Sequence, residues 1–202
     1  MEKRYIIGID QSTQGTKALL FDGVGHLLRR TDLPHRQIVN EKGWVSHDLN
    51  EIYRNTVQTV KTLVAESGVA PETIAGIGIS NQRETTAIWD KATGEPLEEA
   101  IVWQCGRASG IAQEIAEQGH AEEIREATGL QLSAYFPAAK MAWLLRNGGE
   151  ERQKRAADGK LCLGTIDSWL VYKLTGDHAF IARPENNAKK AVLQGANYKE
   201  RI

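Results

Sequence analysis

The stretch from Leu49 to Ala65 constrains the fold of this chain most. Its apolar positions Leu49, Ile52, Tyr53, Val57, Val60, Leu63 and Val64 recur at intervals of three and four, the period of a helix with one apolar face. Asp48 is placed to cap the first turn, Glu51 resembles the acidic partner of a capping box, and Gly68 offers a left-handed stop. Soon after, Ile74 to Ser80 is a nearly continuous apolar run containing Gly76 and Gly78, which predicts a buried strand packed closely against a helix.

The flanking pattern extends this alternation. Tyr5 to Ile9 predicts a strand, Asp10 to Thr16 a polar loop, and Lys17 to Phe21 a second strand, after which Asp22-Gly23 turns the chain into a third strand over His26 to Thr31. The first thirty or so residues therefore read as an antiparallel meander. Thr86 to Trp89 predicts a strand returning after the loop Asn81 to Thr85, ending in a turn over Asp90 to Gly94, and Ala100 to Trp103 another short strand. Helices are expected near Ala108 to Glu117, Ala121 to Ala127, Ala138 to Arg146 and Glu150 to Ala157. A brief strand at Leu161 to Leu163 precedes a helix over Thr165 to Leu174 that stops before Gly176, and Arg183 to Ile202 is polar and weakly patterned. Strands and helices alternating after a hairpin indicate an α/β or mixed α+β domain, and 202 residues suit one such domain.

Charge narrows the classes of function. Lysine and arginine total 25 against 26 acidic residues, a net charge of -1, so no global field attracts nucleic acid or anionic lipid. The start, Met-Glu-Lys-Arg and a strand-length apolar run, does not resemble a signal peptide, and no apolar run approaches the roughly 18 residues of a membrane span. Cys105 and Cys162 lie far apart without a CxxC or Cys/His spacing, so neither a zinc site nor a disulfide framework is indicated, and a reduced cytoplasm fits best. The five histidines show no metal-ligand spacing and receive no role.

Two loops carry chemistry. Asp10-Gln11-Ser12-Thr13-Gln14-Gly15-Thr16-Lys17 sits between two strands and combines hydroxyls, a glycine and a cation, the donors that a phosphate needs. Asp10 at the strand's end suits Mg²⁺ held through water. No GxxxxGK[ST] occurs, so this is not a P-loop, and a solvated polar hairpin is the plainer alternative. The second loop, Ser80-Asn81-Gln82-Arg83-Glu84-Thr85-Thr86, places a fork of donors beside a charged acceptor, which matches the paired donor and acceptor character of neighbouring hydroxyls. A surface ion pair is the alternative there. Trp103 and Tyr135 are among several aromatics that could wall a small ligand or simply fill a core.

These loops, together with Gly43-Trp44-Val45-Ser46-His47-Asp48, Ile101-Val-Trp-Gln-Cys105 with Arg107, and Gly164-Thr-Ile-Asp-Ser-Trp169, resemble the FGGY carbohydrate kinases, and among them most of all the glycerol kinases. The resemblance runs from about Tyr5 to Gly176. It implies the actin-like ATPase (ribonuclease H-like) fold, a mixed sheet flanked by helices, and phosphorylation of a polyol or sugar hydroxyl by ATP with Mg²⁺. Carried across, Asp10 is the metal-linked acid, Thr13, Gln14, Gly15 and Lys17 meet the nucleotide phosphates, and Arg83, Glu84, Trp103 and Tyr135 surround the polyol. Other polyols, pentuloses, and a non-catalytic binding module remain alternatives, and homo-oligomerisation is left open.

The chain departs from the pattern in three places. Its phosphate loop reads Gln-Ser-Thr-Gln-Gly-Thr-Lys where glycerol kinases usually carry a Gly-Thr-Thr-Ser-Ser-Arg type of run, and Pro184 to Lys190 keeps Asn187-Ala188 but not the family's flanking acidic and hydroxyl positions. The family's general base, an Asp in a Gly-Asp-Gln type of segment, is expected beyond residue 202, with the second, nucleotide-binding domain. The 202-residue chain alone is therefore expected to be inactive.

Overall fold

A computed structural model describes residues 4–175 and 190–193. In chain order the strands and helices are β1 (Tyr5–Gln11), β2 (Gly15–Phe21), β3 (Leu27–Pro34), β4 (Ile38–Val39), β5 (Val45–His47), α1 (Leu49–Ser67), β6 (Ile74–Asn81), β7 (Thr86–Asp90) and β8 (Ala100–Ile101). There follow α2 (Ser109–Glu117), α3 (Ala121–Thr128), α4 (Pro137–Asn147), α5 (Gly149–Ala157), β9 (Leu161–Thr165), α6 (Ile166–Leu174) and β10 (Lys190–Leu193). They group into two compact units. The described parts of Met1–Gln37, His47–Arg83 and Ile166–Ile202 form the first, and Ile38–Ser46 with Glu84–Thr165 the second.

The first unit holds a five-stranded sheet in the order β10-β6-β1-β2-β3. The predicted meander is present, β1 antiparallel to β2 and β2 to β3, while β1 lies parallel to β6 with Gly8 opposite Gly78. Strand alternation turns Ile7, Ile9 and Leu20 inward, where they are almost completely buried. The face of α1 read from the sequence, Leu49, Ile52, Val60 and Leu63, is buried too, with α1 lying along β2 and β3. Burying each such side chain contributes about 1.5–3 kcal/mol, so the α1 stripe anchors this layer. On the other edge α6 packs on β6 and β10.

Both predicted ends of α1 are found. Asp48 accepts the Asn50 amide at 2.8 Å, and Gly68 closes the helix at φ 71°. Glu51 behaves differently from a capping-box partner: its Oε1 takes the amide of Arg36 at 3.2 Å and so ties the helix start to the segment after β3. At Gly78 a Cβ would meet nothing within 4 Å among the described residues, so no close helix contact is seen there.

The second unit has its own five-stranded sheet, ordered β4-β5-β8-β7-β9. Here β7 pairs antiparallel with β8 and β9. It is therefore not a strand returning along β6, whose two edges are already taken by β1 and β10. β8 is shorter than expected because Trp103 directs its amide to Thr85 Oγ1 at 3.1 Å instead of extending a ladder. Val45, Ile88, Ile101, Val102, Cys105 and Leu144 form the core, and α4 packs on β7 and α2. Gly176 and residues 183–189, with Asn187-Ala188, lie outside the described residues.

Candidate functional site

In the first unit, pairing shortens the expected loop to residues 12–14. Gln11 lies opposite Thr16 and Asp10 opposite Lys17, so the acid and the cation are cross-strand neighbours at the mouth of a hairpin. Lys17 Nζ donates to Asp10 Oδ2 at 2.9 Å, with both side chains more than a third exposed. The tip is closed by Ser12, whose amide and hydroxyl both reach the Gly15 carbonyl, at 2.9 and 3.0 Å. Thr13 is half-buried and Gln14 exposed. Gly15 is required by packing: a Cβ there would lie 2.5 Å from the Leu33 carbonyl oxygen across β3.

A half-exposed carboxylate facing an ammonium at a hydroxyl-rich turn fits a metal-bound anion, because each charge has solvent-side valence to exchange for phosphate oxygen or hydrated Mg²⁺. The donor set thus suits the expected group.

Behind the tip is a polar patch at the ends of three strands. Gln11 continues the inward phase of Ile7 and Ile9 and is fully buried, receiving Gln82 Nε2 on its Oε1 at 3.0 Å. Beside it His35 and His47 meet edge to face, ring centroids 4.6 Å apart. None of their four ring nitrogens makes a well-formed hydrogen bond, although the Gln82 side chain lies near His47 and the Thr13 backbone near His35. Burial pushes His47 down to about 4, with the His35 charge acting the same way and the Gln82 side chain opposing; burial also lowers His35, against the pull of Glu51 and the Thr13 backbone.

Arg83 ends the first unit, exposed, and Glu84 begins the second, half-buried. Glu84 has φ 62°, and among the described non-glycine residues it alone has positive φ. That conformation costs about 1–2 kcal/mol for a residue with a Cβ. Thr86 Oγ1 donates to the Glu84 carbonyl at 3.1 Å and helps hold the turn.

The structure brings Trp103 and Tyr135 together in the same unit, edge to face at 5.9 Å. Trp103 is partly buried and Tyr135 is 43% exposed, so Tyr135 presents its ring and hydroxyl as a surface instead of filling the core. Below them Lys140 is fully buried, donating from Nζ to the carbonyls of Ala134 at 2.6 Å and Tyr135 at 2.5 Å. The sequence reading missed it, although a lysine in phase with buried Leu144 on α4 was a visible signal. Arg107, quoted in the motif, lies against the rings of Trp44 and Trp143 at 5.0 and 5.3 Å and donates to Ser46 Oγ at 2.6 Å. Its role is to fasten β5 to the segment after β8. Burial pushes the Cys105 thiol up, but hydrogen bonds from Arg107 and the Val45 amide outweigh this and hold it below its ordinary value.

Among the described residues no helix is long and apolar enough to cross a membrane, and no group of three or more His, Cys, Asp or Glu could hold a metal.

Residues 5–182 match the N-terminal domain of the FGGY family of carbohydrate kinases. Glycerol kinase 2 of Thermotoga maritima is 41% identical over 94% of this chain and 38% of its own length, and glycerol kinase of Enterococcus casseliflavus 45% identical over 95% and 38%. This chain thus spans 38% of the length of the curated relatives it matches. Among solved structures, glycerol kinase of Plasmodium falciparum with ADP superposes with TM-score 0.77 at 35% identity, covering 86% of this chain and 35% of that one. Gluconate kinase of Lactobacillus acidophilus superposes at 0.73 with 24% identity, covering 85% and 33%, a likeness of fold. The architecture is the mixed α/β, actin-like ATPase fold.

Proposed function

The chain belongs to the FGGY family of carbohydrate kinases, and on that footing we propose that it is the substrate-gripping and phosphate-gripping part of an ATP-dependent kinase that converts glycerol to glycerol 3-phosphate. The observation that carries the reading is Glu84, an acidic residue whose backbone is held at φ 62° and which follows an exposed arginine in the sequence. An acceptor and a fork of donors on successive residues match the chemistry of adjacent hydroxyls, each of which both donates and accepts. The likeness to proteins named glycerol kinase at 41–47% identity supports glycerol over other polyols.

In this reading Arg83 and Glu84 orient the polyol, while Trp103 and Tyr135 form its apolar wall and Tyr135 adds a hydroxyl. Asp10 holds hydrated Mg²⁺, and Thr13, Gln14, Gly15 and Lys17 receive the phosphates. The metal's contribution is to neutralise charge on the transferring phosphoryl group. Catalysis of this kind is mainly positioning. The base that takes the hydroxyl proton is assigned to no residue of this chain, and the 202 residues alone are expected to turn over no substrate.

The test is ATP-dependent phosphorylation by the complete protein with glycerol, erythritol, xylulose and gluconate side by side. Glycerol is expected to have the highest kcat/KM by at least about a hundred-fold, the discrimination available to a site built on hydroxyl pairing. Preference for xylulose or gluconate would overturn the choice of substrate, and binding of glycerol and Mg-ATP without turnover would leave a binding module.

A further inference from the structure

We propose that Lys140 is the positioning residue of the polyol wall: its buried ammonium fastens the loop before α4 so that Tyr135 faces the substrate. The inference rests on the reading of Arg83, Glu84, Trp103 and Tyr135 as polyol contacts. Three observations carry it. The side chain is fully buried, an environment in which a lysine persists only with dedicated partners. Its two partners are the consecutive carbonyls of Ala134 and Tyr135, so the ammonium grips the residue whose ring forms the wall. Its Nζ also lies 6.0 Å from the centroid of that ring, which in turn packs on Trp103.

The charges facing Lys140 are those of Glu84 and Cys105, both of which favour the cation, along with the Tyr135 ring. Burial wins over them and pushes the lysine down to about 8. The loop's anchor therefore loses its charge at mildly alkaline pH, whereas an arginine in its place would keep the charge. A neutral amine still donates a hydrogen bond but a weaker one, and it no longer attracts Glu84. Glycerol affinity should then fall as pH rises through 8.

The experiment measures kcat and KM of the complete protein for glycerol and for ATP from pH 6.5 to 9.5, in the native form and in Lys140→Met and Lys140→Arg. Lys140→Met is expected to raise the glycerol KM about ten-fold at pH 7 while changing kcat less than about two-fold and leaving the ATP KM alone, the signature of lost ground-state positioning. Native protein should show a rising glycerol KM above pH 8, and Lys140→Arg should abolish that limb. A native glycerol KM in folded Lys140→Met, or an alkaline limb that survives in Lys140→Arg, overturns the proposal. If Lys140→Met does not fold, the Lys140→Arg profile decides alone. If the native protein phosphorylates no polyol, the reading of function fails separately. Hydrogen exchange at the Phe136 amide then decides the anchoring: about ten-fold faster exchange in Lys140→Met than in native protein, with α2 unchanged, upholds it, and equal rates overturn it.

Discussion

Each unit buries basic side chains, and the two units treat them in opposite ways. In the first, His35 and His47 are enclosed without a well-formed hydrogen bond to any ring nitrogen, and His47 is held neutral to about pH 4. In the second, Lys140 is enclosed just as completely but faces two carbonyls, Glu84 and Cys105, and keeps its charge at pH 7. Burial alone does not decide the charge state; the supply of acceptors does. The histidines have no acceptor in good geometry, whereas the lysine is bonded to the Ala134 and Tyr135 carbonyls.

The largest test of this contrast is acid. Both side chains are bases held below their ordinary values, so each subtracts stability as pH falls between the ordinary and the folded value. For His47 the window runs from 6.5 down to about 4. The unfolded state there binds a proton that the folded state refuses, and the loss over the window is about 3 kcal/mol at 1.36 kcal/mol per unit. Urea melts at pH 7 and 4.5 should show this loss in native protein and most of it removed in His47→Leu. An equal acid loss in both would break the contrast.

Next comes Lys140→Met at pH 7. The ordinary-to-folded window of Lys140, 10.5 down to about 8, lies wholly above neutrality. Its desolvation cost is thus already present at pH 7, and its removal leaves the Ala134 and Tyr135 carbonyls without their donor. A destabilisation of about 2 kcal/mol is expected by urea melt. By comparison His47→Leu at pH 7 should stay within about 1 kcal/mol of native, because only the weak contact with the Gln82 side chain is lost with the ring. The smallest effect is expected at the exposed pair: Asp10→Asn should change stability by less than about 1 kcal/mol. The same variant should abolish Mg-ATP-dependent turnover of the complete protein, so a large fold-stability effect there would show that the Asp10–Lys17 pair is structural.

Much of the fold was legible because it is written in short-range patterns. The α1 stripe with Asp48 and Gly68, the β1-β2-β3 meander and the four central helices all depend on side chains a few residues apart. The assignment of β7 was not legible, since a strand's apolar alternation does not say which sheet has a free edge. Within the site, Asp10 opposite Lys17 follows from the register of a hairpin whose two strands were both read. The conformation of Glu84 was hidden, because a positive φ at a residue with a Cβ leaves no mark in composition.

By itself the sequence determined the local elements, the two chemically loaded loops and, through their spaced motifs, membership of a kinase family. Tertiary structure alone decided that these elements form two sheets in two units, that Gln11, His47 and Lys140 are buried, and that one of these bases is charged and another neutral. The reason is physical: helix and turn preferences are set by neighbours along the chain, whereas desolvation and the placing of acceptors are set by residues brought near only when the chain folds.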